Sequence, residues 1–337
     1  MKKLAFASII IVVTICIIEI IMRLSGVGKS REIVFSVQPK SLFQAHEILG
    51  WKPQEGDYEV KLFHEDNVFR AKLNKFGERI TSDSLMNEGR NAIHVYGCSC
   101  TFGLSIEDTL TQCFQLQKMI PELVIKNKGV PGYGLTQMYL SLQESVNRGD
   151  TPIIAVFNYA GFHDIRSSEN VQWGNMLYDG IGQDRVEEFY SISYPTYHLE
   201  GDSLELQYTP FKTLTTRTFW NENIVSLKIA QDLLNFRQDW NNIPKLQRIS
   251  RALETKIYNY CVQLGIKPVF AVLSNEKMFP FETTLSDDVL GVSFEYSVDF
   301  SDKKYNCSPL DNSHPNGLAH KIYALELYEY LKSKEFL

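Results

Sequence analysis

The chain has 337 residues, 44% apolar, 22% charged and 12% aromatic, which is enough apolar material for a full-sized core and excludes a disordered, collagen-like or disulfide-built miniprotein reading. Its net charge of −6, with no Lys/Arg run interleaved with aromatics beyond the N-terminus, leaves no surface suited to neutralising phosphates. Nucleic acid is therefore not an expected partner.

In chain order the first element is an apolar stretch from Leu4 to Met22, interrupted by Ser8, Thr14, Cys16 and Glu19 and preceded by Lys2 and Lys3. At about 1.5 Å per residue it comes close to the roughly 30 Å of a bilayer's hydrocarbon core. The expectation is a single-pass signal anchor through residues 4–22, within an N-terminal segment 1–30. A cleaved signal peptide fits less well, because Glu19, Met22 and Arg23 stand where small residues precede a cleavage site. Ile15 before Cys16 likewise argues against a lipoprotein signal. Lys2 and Lys3 oppose Arg23, Lys29 and Arg31, so charge alone does not orient the span. A short cytoplasmic tail would put the body on the periplasmic or extracellular side. The six cysteines (Cys16, Cys98, Cys100, Cys113, Cys261, Cys307) show no C-x-x-C pairing and decide nothing about redox compartment.

Residues 31–90 read as a β-rich lead-in module: Tyr58, Val60 and Leu62 alternate with charged neighbours, and Phe69, Ala71 and Leu73 repeat the pattern. Over 91–337 short apolar strands alternate with helices, the signature of parallel βαβ units. Strands are expected at Ala92–Tyr96, Leu123–Ile125, Ile153–Phe157 and Pro268–Leu273. A helix is expected from Ile243 to Leu264, with Leu246, Ile249, Leu253, Ile257, Tyr260 and Leu264 at helical spacing. The final helix follows Pro315 and carries the stripe Ala319, Tyr323, Leu327, Leu331. At about 167–220 periodicity fades into Tyr, Trp, Gly and Ser, which reads as an insertion over the substrate face.

Two sites carry chemistry. The first strand runs into Gly97-Cys98-Ser99-Cys100-Thr101-Phe102-Gly103, a glycine-bounded turn that projects a hydroxyl beside the N–H groups of a helix start. Near the other end, Asp311 precedes His314 by three residues, offering a base of near-neutral pKa and a carboxylate to orient it. Cys98 and Cys100 with His314 make a poor metal set, since alternate residues at a strand edge point apart and no further ligand converges. Gly129-Val130-Pro131-Gly132 lacks the Gly-Lys-Ser/Thr of a phosphate loop. No cofactor or metal is expected. Asp164 and Arg166 read as a surface or loop pair, and Asn158 and Tyr159 as the end of the third strand.

From about Ala92 to the C-terminus the chain resembles the GDSL/SGNH hydrolases, whose four blocks follow the first, second and third strands and precede the last helix. Gly97-Cys98-Ser99 matches the first block with Cys98 in place of its aspartate. Asn127-Lys128-Gly129-Val130-Pro131-Gly132-Tyr133-Gly134 matches the second, Gly161-Phe162-His163-Asp164 the third with His163 in place of its asparagine, and Asp311-x-x-His314 the fourth. The resemblance implies an α/β fold: a flavodoxin-like three-layer α/β/α sandwich around a parallel sheet, here preceded by the transmembrane helix and the lead-in module. It implies Ser99 as nucleophile, His314 as base and Asp311 as its partner. The N–H groups of Ser99 and Gly132, with the His163 side chain, would hold an oxyanion. His163 has a second reading, as a structural histidine bonded to the nearby backbone. The expected activity is hydrolysis of an ester on a carbohydrate or lipid carrier. The alternatives are an O-acyltransferase of a surface polysaccharide using the same triad, and a catalytically weak glycan-binding or assembly protein.

Overall fold

The structure, a computed structural model, describes residues 2–25, 35–82, 91–167, 191, 193–201, 203–214, 224–274 and 291–337. Helix α1 spans Lys2–Leu24. It is followed by strands β1 (Phe35–Gln38), β2 (Phe43–His46), β3 (Gly50–Pro53), β4 (Gly56–Leu62) and β5 (Val68–Leu73). β1, β4 and β5 form an antiparallel sheet and β2 pairs with β3. The expected alternation holds: Tyr58, Val60, Leu62, Phe69, Ala71 and Leu73 all point into one core, which they share with Phe102 and Leu104 beyond the nucleophile turn.

The body begins with β6 (Ala92–Gly97), the short helix α2 (Ser99–Phe102) and α3 (Gln112–Met119), the last capped by the Thr111 hydroxyl. Then come β7 (Val124–Gly129), α4 (Leu135–Asn147), β8 (Ile154–Tyr159) and α5 (His163–Arg166). An antiparallel hairpin follows, β9 (Ser193–Glu200) with β10 (Ser203–Pro210), and then α6 (Phe211–Leu214). The hairpin falls within the expected insertion, of which residues 168–190, 192, 202 and 215–220 lie outside the described residues. The chain closes with α7 (Val225–Gln263), β11 (Lys267–Ser274), β12 (Ser293–Asp299), the paired β13 (Asn306–Cys307) and β14 (Asp311–Pro315), and α8 (Gly317–Ser333).

Five strands make a wholly parallel sheet in the order β12-β11-β8-β6-β7. Counted from the other edge in chain order this is 2-1-3-4-5, the flavodoxin-like arrangement, whose order reverses beside β6. One face is covered by α3 and α8, where Ala319, Tyr323, Leu327 and Leu331 are buried as their spacing predicts. The other is covered by α4 and α7, with Ile249, Leu253 and Ile257 against Phe157 and Phe270. Three layers result. The outer strand β12 escapes the sequence reading even though Tyr296 and Val298 alternate inward, because its run is short and its neighbours are polar.

Two expectations need correction. The helix expected at 243–264 starts eighteen residues earlier and runs through Pro244. No periodicity announces that start, because its cap is tertiary: the Glu19 carboxylate of α1 accepts from the N–H groups of Val225 and Ser226. At its far end Leu264 is exposed and not part of the stripe. Residues 4–22 do lie in one 23-residue helix, but among the described residues no helix is long and apolar enough to cross a membrane, so the fold itself does not carry the anchor.

Candidate active site

The sheet order reverses between β6 and β8, and there the chain leaves β6 into α2 with Ser99 as its first helical residue. A ligand crevice at such a switch point is the general rule for open α/β sheets. The approach is tight: a Cβ on Gly129, at the end of β7, would sit 2.4 Å from the Phe102 nitrogen, so only glycine lets the second block lie against the nucleophile helix. Gly132 follows at φ +90°, and the loop is tied to the first block by Val130 N–H donating to Gly97 O at 3.0 Å.

Ser99 and His314 are 215 residues apart and meet. The Ser99 Oγ lies 2.9 Å from His314 Nε2, and His314 Nδ1 lies 2.7 Å from Asp311 Oδ2. With Nδ1–H donating to the carboxylate, Nε2 is left to accept from the hydroxyl, the tautomer a base needs. Burial alone would raise the Asp311 carboxyl. The charge of His314 and hydrogen bonds from His314, Ser105 and Ser313 outweigh it and hold the group well below the usual carboxylate range. Ser313 closes the other oxygen, Oδ1, with its N–H at 2.8 Å and its hydroxyl at 2.7 Å. Asp311 and His314 sit on β14, not on an unpaired loop, and Asn316 caps α8 immediately after them.

His163 does not join this group. Its ring is fully buried, its Nδ1 accepts from Ala160 N–H at 2.9 Å, and the proton left on Nε2, with the Cys98 thiol nearby, makes no hydrogen bond among the described residues. The bond from Ala160 N–H is the one the structural reading of His163 calls for, and the unbonded Nε2–H is the donor the oxyanion reading calls for. Cys98 and Cys100 are buried core thiols, yet they do not point apart: the turn into α2 leaves them near enough for each to shift the other's titration. Among the described residues no group of three or more His, Cys, Asp or Glu side chains could hold a metal.

Asp164 is no surface residue. It is buried, takes the Tyr159 hydroxyl on one oxygen, and is pushed up to about 6 by burial. Asn158, one residue before the end of β8, donates to Thr101 Oγ1 at 2.9 Å and Gln112 Oε1 at 2.8 Å, so it braces α2.

Sequence reasoning missed every contribution from the lead-in strands. Buried Arg79 uses all five N–H donors, on the carbonyls of Phe102, Gly103, Ile106 and Arg70 and on Asp108. Trp51 Nε1–H donates to Pro131 O at 3.0 Å, next to Gly132, and Tyr133 returns a bond to Trp51 O at 2.5 Å. A lone Trp in a short strand, or a lone Arg just past one, carries no signal of what it will reach.

No family profile matches the chain, and no curated protein matches it in sequence. Among solved structures it is similar to the psychrotrophic esterase EstA from a Pseudoalteromonas species, at 12% identity and a TM-score of 0.38, over 74% of this chain and 100% of that one. A putative lipolytic protein of the G-D-S-L family from Desulfitobacterium hafniense gives 12% and 0.36, over 71% and 99%. A GDSL-like lipase from Bacteroides thetaiotaomicron gives 13% and 0.28, over 72% and 89%. At such identities and scores the chemistry rests on the site's own geometry.

Proposed function

We propose that the chain is a serine esterase of the SGNH type and that it cleaves an ester on a carbohydrate or lipid carrier. The observation that carries the chemistry is the unbroken run of two hydrogen bonds, 2.9 and 2.7 Å, from Ser99 through His314 to Asp311. Ser99 Oγ attacks the ester carbonyl as His314 Nε2 takes its proton. The N–H groups of Ser99 and Gly132 receive the oxyanion, and His314 returns the proton to the leaving alcohol. Asp311, already ionised and held by Ser313, stabilises the imidazolium formed between those steps. Water attacks the acyl-enzyme by the reverse path, with His314 as base.

The test is fluorophosphonate labelling of the full chain in detergent, with short acyl esters as substrates. Labelling and turnover that both vanish in Ser99→Ala and His314→Ala are expected. Ser99→Ala hydrolysing at the parent rate would overturn the assignment.

A further inference from the structure

The loop joining β4 to β5 lies outside all four blocks, yet it touches His314 directly and reaches Asp311 through Ser105. Asn67, buried in that loop, donates from Nδ2 to Leu62 O at 2.8 Å and to Ser105 Oγ at 3.0 Å. Ser105 in turn donates to Asp311 Oδ2 at 2.6 Å, the same oxygen that receives the His314 proton. On the other side of the pair the Phe63 ring stacks on the His314 imidazole, with centroids 5.9 Å apart and planes at 20°. Phe63 and Ser105 both take left-handed backbone conformations, φ +68° and +66°, which side chains other than glycine, asparagine and aspartate seldom adopt. Two such residues, one on His314 and one on its partner Asp311, mark a place where the surrounding structure holds the backbone against its preference.

We propose that this hairpin loop is a positioning element of the site: Asn67, through Ser105, fixes the Asp311 carboxylate, and Phe63 fixes the plane of the imidazole. The inference rests on the esterase reading above. A carboxylate oxygen that accepts from both Ser105 and His314 has one orientation in which both bonds are short. Asn67 supplies the hydroxyl of Ser105 with a donor and so obliges its proton to point at Asp311. The imidazole is then held at its edge by the carboxylate and on its face by the Phe63 ring. In this way residues of the lead-in strands set the geometry of chemistry performed by residues more than 200 positions later.

Ser105→Gly is the clean variant, because glycine accepts φ +66° and only the hydroxyl is lost. With the full chain in detergent, kcat for a short acyl ester is expected to fall about tenfold, with KM within about twofold and Tm unchanged or higher. Asn67→Ala should move kcat the same way, with some loss of Tm because its bond to Leu62 O goes too. Activity and stability moving apart in Ser105→Gly is a result that a merely structural serine would not produce.

A second readout does not need turnover: the downfield Nδ1–H proton resonance of His314 in the parent, compared with Ser105→Gly. A shifted or broadened resonance supports the inference, and this holds even if the parent proves inactive, an outcome that would overturn the esterase reading alone. Parent-like kcat with an unmoved resonance in Ser105→Gly would overturn the inference and leave the esterase reading standing.

Discussion

At the scale of single residues, the side chains around Ser99 separate into those that face the cleft and those that support it. His163 supports it. His163→Ala is expected to cost about 1–3 kcal/mol of stability through the bond it takes from Ala160 N–H, while kcat for a short ester changes less than about tenfold. Losing an oxyanion donor would instead cost about 10²–10³ in kcat, and that result would return the ring to the oxyanion hole. Asp164 makes a prediction of opposite chemistry. Its carboxyl titrates near 6 in the folded chain because it is buried, against about 4 when unfolded. Between those values the folded state holds a proton that the unfolded state has released, so stability falls as pH rises through this window, by an order of 3 kcal/mol. Asp164→Asn, which keeps an acceptor for Tyr159, should flatten that slope in thermal unfolding between pH 4 and pH 6.5. An unchanged slope would mean that Asp164 is already ionised in the folded chain.

At the scale of elements, Arg79 is the part on which the nucleophile turn depends. Strand pairing places it between sheets: its backbone bridges both Leu73 of β5 and Asn127 of β7. Its guanidinium, buried and fully bonded, collects the carbonyls that end α2. Removing it strands several buried carbonyls and the Asp108 carboxylate, and breaking a buried charged pair in this way typically costs about 3–5 kcal/mol. Arg79→Ala should therefore lower Tm by far more than an exposed substitution such as Lys61→Ala, whose ion pair with Glu65 lies in water. Arg79→Lys should recover little of it, because an ammonium cannot reproduce the five-donor fork. Equal Tm values for Arg79→Ala and Lys61→Ala would remove Arg79 from this role.

Across the whole molecule, the lead-in strands and the parallel-sheet body share one core at Phe102 and Leu104, as well as the bonds of Arg79, Trp51 and Asn67. Residues 35–82 and the body should accordingly unfold in a single transition, seen as coincident denaturation curves from tryptophan fluorescence and far-UV circular dichroism. Two separated transitions would make the lead-in an independent domain. Acid should act on the same unit through two buried imidazoles. Burial holds His94 down to about 4 and His320 to about 3, both below the ordinary 6.5 of an unfolded histidine. Stability they permit above pH 6.5 is lost as pH falls toward 4, because the unfolded chain binds the protons that the folded chain refuses. The double variant His94→Gln/His320→Gln should show a shallower loss of Tm over that range.

What the sequence could determine by itself was whatever is written in short-range periodicity or in the spacing of a few residues. The alternation of Tyr58, Val60 and Leu62 names a half-buried strand wherever that strand packs, and the stripe from Ala319 to Leu331 names a helix face. Asp311 and His314 are close enough in the chain for their partnership to be local. The pairing of Ser99 with His314 was legible only through resemblance to known blocks, since nothing in either segment encodes the other. The start of α7 at a cap lent by Glu19, the burial of His163, and the reach of Phe63, Asn67, Trp51 and Arg79 into the site were decided by tertiary structure alone. Each of them depends on which surfaces meet once the sheet is assembled, and hydrogen bonds and ring contacts between distant segments leave no period in the chain that makes them.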